Sequence, residues 1–118
     1  MYTISKQFAF SASHQLTGLP DGHPCGRLHG HNYVVELELR SPVLDTRGFV
    51  LDYGEMKPFQ QYIDEKLDHR HLNDILAQPT AENLAKHLYD VAWSLWHDVA
   101  ITVRVSETPK TWATFTEA

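Results

Sequence analysis

The chain of 118 residues is poor in cysteine, in basic residues and in long apolar runs, and each scarcity excludes a class of protein. A single cysteine, Cys25, rules out an internal disulfide framework. Ten Lys and Arg residues against fifteen Asp and Glu residues leave a net charge of −5, so nucleic acid is not expected as the main partner. No apolar run reaches the length of about 18 residues that a membrane helix needs, and no basic region precedes an apolar stretch near Met1. We therefore expect a cytoplasmic protein that forms one domain over residues 1–118.

Histidine, in contrast, is abundant, and three of the eight histidines end apolar strand faces. Residues 2–13 alternate in polarity as a strand does, and their apolar parity continues to His14. Residues 29–40 alternate in the same way, beginning with His29 and His31. Imidazoles on apolar faces carry a desolvation cost and repel one another when protonated, and a divalent metal removes both problems. Neutral imidazole suits zinc, so we predict that these three histidines bind Zn²⁺, against the alternative that His29 and His31 are ordinary strand residues.

Cys25 lies in the predicted loop 15–28, which is rich in glycine and proline. Two roles stay open for it. It closes the zinc site as a fourth protein ligand, or it is a free thiol beside the metal, where its thiolate is favoured and suits a proton acceptor. The loop composition disfavours an inert, buried cysteine.

Two helices follow the second strand. One apolar face predicts a helix from Asp52 to about Asp68, and its members are Met56, Phe59, Ile63 and Leu67. Thr80 is the predicted N-cap of the next helix, with Glu82 in the first turn. The predicted buried stripe of that helix consists of Leu84, Leu88, Val91 and Leu95.

Residues 99–107 and 111–116 predict two last strands, and Glu107 closes an apolar parity as the histidines do. The order strand, strand, helix, helix, strand, strand predicts an α+β fold. We expect a four-stranded antiparallel sheet with both helices on one face. Such a sheet has two open edges, which closure into a barrel of several subunits removes, so a homo-oligomer is expected.

The sequence resembles the 6-pyruvoyl-tetrahydropterin synthase family, and within it the bacterial 6-carboxy-tetrahydropterin synthases of queuosine biosynthesis. The matching stretches lie in the order of the family and are residues 8–14, 22–31, 67–69, 72–74, 79–82 and 106–108. The cysteine separated from His-Gly-His by three residues resembles the carboxy branch in particular. The resemblance implies the tunnelling fold (T-fold), whose subunits assemble into barrels, commonly as a hexamer with sites between subunits.

The resemblance also implies the reaction and its residues. The expected lyase converts 7,8-dihydroneopterin triphosphate to 6-carboxy-5,6,7,8-tetrahydropterin, acetaldehyde and triphosphate. It implies zinc on His14, His29 and His31, a proton-transfer group of Cys25, Asp68 and His69, and a pterin anchor at Glu107 with Glu82 and Thr80 nearby. The alternatives are a 6-pyruvoyl-tetrahydropterin synthase, which keeps the carbon chain, and a non-catalytic zinc module in which Cys25 is the fourth ligand.

Without the resemblance, several of these residues have plainer interpretations. Asp68 is a carboxylate at a helix C-terminus, and His71 competes with His69 for the same role. The alternative for Glu107 is a surface carboxylate at a strand end. Arg27 and Lys110 are candidates for contact with the triphosphate, against the plainer interpretation that they are ordinary exposed basic residues.

Overall fold

The computed structural model describes residues 1–117 and consists of one sheet with two helices packed on one face. Its strands are β1 (Tyr2–His14), β2 (His29–Ser41), β3 (Arg70–His71), β4 (Ala100–Thr108) and β5 (Thr111–Thr116). Its helices are α1 (Lys57–Lys66) and α2 (Ala81–Leu95). Short 3-10 turns cover Pro24–Gly26, Tyr53–Met56 and Leu72–Asp74.

The sheet differs from the predicted one. Its strand order is β3-β1-β2-β4-β5, and the pairs β1–β2, β2–β4 and β4–β5 are antiparallel as expected. The prediction of four antiparallel strands was wrong, because β3 adds a fifth strand that runs parallel to β1. Only Arg70 and His71 form β3, opposite Ala12 and Ser13, and two residues are too few to show the alternation by which a strand is recognised.

One face of the sheet carries the core, because even positions of β1 and odd positions of β2 and β4 point to it. Both helices pack on this face: Phe8 meets Phe59 of α1 with ring centroids 5.2 Å apart, and Phe115 meets Tyr89 of α2 at 4.9 Å. Each fully buried side chain of this size contributes about 1.5–3 kcal/mol through loss of water contact. The opposite face is polar, and Arg104 there contacts two carboxylates of β2 at 3.1 and 3.2 Å.

The first helix begins later than predicted but buries the predicted side chains. Asp52 accepts a hydrogen bond from the N–H of Gly54 at 2.9 Å and starts a 3-10 turn, so the α-helix itself covers Lys57–Lys66. Burial is complete for all four members of the predicted apolar face, Met56, Phe59, Ile63 and Leu67.

The second helix confirms its predicted cap. Thr80 Oγ1 accepts a hydrogen bond from the N–H of Asn83 at 3.1 Å. Leu84 and Leu88 are buried, but Leu95 is 37% exposed, so its predicted burial was wrong. The buried face follows the four-residue spacing to Ala92 instead. With 15 residues, α2 is the longest helix of residues 1–117, and none of their helices is long and apolar enough to cross a bilayer.

Candidate metal centre and active site

The pairing of β1 with β2 brings three histidines together at the end of the core face. His14 pairs with His29 across the ladder, and His31 pairs with Ala12, so all three rings project from the same face. One nitrogen from each ring lies within 4.8 Å of the other two, and the Nε2 atoms of His14 and His29 are 2.9 Å apart. Gly30, between the two histidines of β2, lies close to the backbone of β1. A Cβ at that position would lie 3.3 Å from the carbonyl oxygen of Ala12, which is a tight contact.

Backbone carbonyls determine which nitrogens of two rings are free. Nδ1 of His14 lies 2.7 Å from the carbonyl oxygen of Pro79, and Nδ1 of His29 lies 2.6 Å from that of Arg27. A carbonyl only accepts, so both Nδ1 atoms carry a hydrogen, and Nε2 is the nitrogen of each ring that is able to offer a lone pair. Two lone pairs at 2.9 Å repel each other unless a proton or a cation lies between them.

His31 adds a third nitrogen without a hydrogen bond. Its Nε2 is buried and has no hydrogen-bond partner among residues 1–117, although Glu107 Oε2 is 3.2 Å away, because the geometry of that contact is not that of a hydrogen bond. Burial lowers the pKa of His31, the other two imidazoles lower it further, and Glu107 opposes them. Three clustered imidazole nitrogens, two of them oriented by carbonyls, match the donor set that zinc prefers at about 2.0–2.1 Å.

The structure keeps Cys25 outside this donor group. Within the described chain, the set of residues able to hold a metal contains His14, His29 and His31 but not Cys25. Cys25 is half-buried in the 3-10 turn Pro24–Gly26, where its N–H donates to Nδ1 of His23 at 3.1 Å. Three protein ligands with a position left for substrate or water is the arrangement of catalytic zinc.

Asp68 and His69 form a pair at the edge of the sheet. Nδ1 of His69 lies 3.0 Å from Asp68 Oδ2, and Asp68 Oδ1 accepts the N–H of Ser11 at 2.9 Å. This hydrogen bond, followed by that to His69, holds the pKa of Asp68 below its usual range. The backbone of His69 is left-handed, with φ of 57°, a conformation that costs about 1–2 kcal/mol in most residues. The side chain of His69 is 83% exposed and lines a cavity of about 520 Å³ together with His31 and Arg70.

The proposed pterin anchor lies on the other side of the histidines. Glu107 lies beside His31 and lines a cavity of about 300 Å³ together with Glu82 and Trp112. The hydroxyl of Tyr33 lies 3.3 Å from Nδ1 of His14, and burial with the charge of Glu107 raises the pKa of Tyr33. Tyr33 therefore stays a neutral hydroxyl behind the site. Thr80 caps α2 one residue from Pro79, the carbonyl partner of His14.

Sequence reasoning missed the groups that orient these side chains. The carbonyls of Pro79 and Arg27 are backbone groups, so residue type does not reveal their role. Only the three-dimensional structure identifies them. Trp112 was not singled out either. Trp112 is the second residue of β5 and lines the same cavity as Glu82, and an aromatic residue near the start of the last strand was the one available signal.

Comparison with known proteins identifies the family of this chain. Residues 3–118 match the family described as 6-pyruvoyl tetrahydropterin synthase. A protein of Archaeoglobus fulgidus is 33% identical over 89% of this chain and 87% of its own. The 6-carboxy-5,6,7,8-tetrahydropterin synthase of Synechocystis sp. is 35% identical, over 75% of this chain and 73% of its own. The structure of Caenorhabditis elegans 6-pyruvoyl tetrahydropterin synthase superposes with a TM-score of 0.85 at 29% identity, covering 99% of this chain and 96% of that one. This chain therefore belongs to the 6-pyruvoyl tetrahydropterin synthase family.

Proposed function

We propose that this chain is a zinc-dependent 6-carboxy-tetrahydropterin synthase. It converts 7,8-dihydroneopterin triphosphate and water to 6-carboxy-5,6,7,8-tetrahydropterin, acetaldehyde and triphosphate. The observation that carries the proposal is the group of three histidine rings with one nitrogen each within 4.8 Å of the others, two of them Nε2 atoms 2.9 Å apart, in a chain of this family.

Three residues would hold the metal and two others would move protons. When bound by His14, His29 and His31, zinc would act as a Lewis acid on oxygens of the substrate side chain. Cys25, as a thiolate, accepts the proton that leaves a carbon of that side chain. His69, oriented by the carboxylate of Asp68, exchanges a proton with a side-chain hydroxyl.

Glu107 would bind the pterin ring. A pterin presents two adjacent N–H donors, at its ring amide and its exocyclic amine, and one carboxylate accepts both in a strong charge-assisted pair. The neighbouring cavity, lined by Glu82 and Trp112, provides a carboxylate and an exposed indole for the flat ring. Thr80, at the start of α2, is the third residue that we assign to pterin binding.

We also propose that the site is completed between copies of the chain, in a homo-oligomer such as the hexamer that the family resemblance implies. His69 is 83% exposed, and its hydrogen-bond partners among residues 1–117 are Asp68 and the Ser11 carbonyl. It shares the lining of an open cavity with His31, but no hydrogen bond within the described part of one chain joins it to the three histidines. The outer edge of β5 has no partner within the described residues, which leaves an edge for a second copy to pair with.

Mixing two inactive variants tests this assembly. His29→Ala lacks a metal ligand and His69→Ala lacks a proton-transfer group, so each is expected to be inactive alone. Co-refolded together, they should regain part of the activity, because some interfaces then combine one intact metal centre with one intact His69. Absence of any recovery in a mixture shown by sedimentation to be mixed would place both groups in one chain.

Product analysis tests the reaction itself. Zinc-loaded protein incubated with 7,8-dihydroneopterin triphosphate should release acetaldehyde and a 6-carboxy product, both identified by mass, and protein stripped of metal should release neither. A product that keeps the whole carbon chain would instead support a 6-pyruvoyl-tetrahydropterin synthase. The name of the C. elegans structural relative favours that second candidate. No turnover at all, with Cys25 bound to the metal, would leave a non-catalytic zinc module.

A further inference from the structure

We propose that Asn73 and Gln78 are positioning residues that hold the turn of Cys25 against the three-histidine centre. The inference rests on the proposed function, in which Cys25 accepts a proton from substrate. The first residues after β1 have no strand beside them, and the side-chain amides of Asn73 and Gln78 take the place of a neighbouring strand.

Asn73 binds both backbone groups of Gln15. Its Oδ1 accepts the N–H of Gln15 at 2.9 Å, and its Nδ2 donates to the carbonyl of Gln15 at 2.7 Å. This is the pattern by which a neighbouring strand binds one residue of a ladder. Asn73 is half-buried and lies two residues after the end of β3, so its amide continues the pairing that β3 begins along β1.

Gln78 repeats the pattern at Thr17, two residues after Gln15. Its Oε1 accepts from the N–H and the hydroxyl of Thr17 at 3.0 and 3.1 Å, and its Nε2 donates to the carbonyl of Thr17 at 2.9 Å. Asn83, in the first turn of α2, donates to the carbonyl of Gln78 at 2.9 Å and ties it to the helix. Residues 15–17 are thus bound at alternate positions, as a strand would be.

The segment that these amides hold is the one that carries the turn of Cys25. The N–H of Leu16, between the two bound residues, donates to the carbonyl of Cys25 at 3.1 Å. The side chain of Gln15 donates to the carbonyl of Gly26 at 3.0 Å. If residues 15–17 move, the Cys25 turn therefore loses two of its hydrogen bonds to the body of the protein.

The same ladder borders a metal ligand. Gln15 follows His14, and Gln78 precedes Pro79, whose carbonyl accepts from Nδ1 of His14 at 2.7 Å. Asn73 and Gln78 consequently hold residues 15–17, the start of the Cys25 loop, in place directly after His14. Because β1 and β2 themselves hold the three histidines, we expect loss of the amides to displace the thiol and to leave the metal ligands in place.

Near-isosteric variants test the inference. Asn73→Leu and Gln78→Met remove all the amide hydrogen bonds, whereas Asn73→Asp and Gln78→Glu keep the oxygens that accept from Gln15 and Thr17. Gln60→Met is the matched control, since that amide binds only Asp64 one turn along α1 in the described structure. Zinc content, the rate of Cys25 alkylation by iodoacetamide, and kcat and KM are measured on each zinc-loaded protein.

We expect the two apolar variants to retain zinc, to alkylate about tenfold faster at Cys25 and to lose on the order of 10- to 100-fold in kcat, with KM little changed. The acidic variants should have alkylation rates and kcat values between those of the apolar variants and those of the wild type. Gln60→Met should match the wild type in both quantities. Unchanged alkylation and kcat, or loss of zinc in proportion to loss of kcat, would overturn the inference. If the wild type turns over no dihydropterin, the proposed function fails, and the alkylation rates still decide whether the two amides hold the thiol.

Discussion

Replacing His29 with alanine should abolish the stabilisation of the fold by zinc. His29 is preferred to His14 for this test because it is half-buried, whereas His14 is fully buried and its loss would also disturb the core. A ligand at 100 times its dissociation constant stabilises the folded state by about 2.7 kcal/mol. An unfolding entropy of about 2.1 cal/mol/K per residue gives roughly 0.25 kcal/mol/K for a chain of 118 residues, so zinc should raise the Tm of the wild type by about 11 °C.

Scanning calorimetry of stripped and zinc-reloaded protein measures this difference. His29→Ala should show almost no rise in Tm at the zinc concentration that saturates the wild type. His97→Ala, which removes an exposed histidine beside Trp93, is the control and should keep the full rise. An equal rise in His29→Ala and the wild type would refute the assignment of His29 as a ligand.

Further predictions concern other residues. Cys25→Ala should keep one zinc per chain but lower kcat by about 10²- to 10⁴-fold, as metal analysis and turnover will show. Glu107→Gln should raise KM and lower kcat/KM by roughly 10- to 100-fold with zinc content unchanged, since a charge-assisted pair is lost. Thr80→Ala should cost about 1 kcal/mol, or roughly 4 °C in Tm, by removing the N-cap of α2. Burial lowers the pKa of His87 below 6.5, so the unfolded state takes up its proton first and stability is lost as the pH falls below that value. His87→Gln should therefore flatten the decline of Tm between about pH 7 and 5.

Alternation of polarity predicted most of the fold, because one face of each long strand is buried and the other is polar. The same rule placed His14, His29 and His31 on the core face, and pairing of β1 with β2 then brought them together. The rule fails where burial does not alternate. Arg70 and His71 form too short a strand to show a period, so the parallel strand β3 went unseen.

The groups that orient the site were harder to predict. Asn73 and Gln78 lie in an irregular segment, where a polar residue has no preferred partner until the backbone positions of Gln15 and Thr17 are known. The carbonyls of Pro79 and Arg27 are features of every chain and become specific only by their position. Residue type therefore identified the atoms that bind or react, and three-dimensional placement was needed for those that hold them.

X-ray absorption at the zinc edge of the loaded wild-type protein tests the open three-histidine site most directly. We predict three nitrogen neighbours at about 2.0–2.1 Å and an oxygen in the remaining position, with a spectrum unchanged by Cys25→Ala. A sulfur neighbour at about 2.3 Å that disappears in Cys25→Ala would contradict the prediction, because the metal would then be closed by four protein ligands.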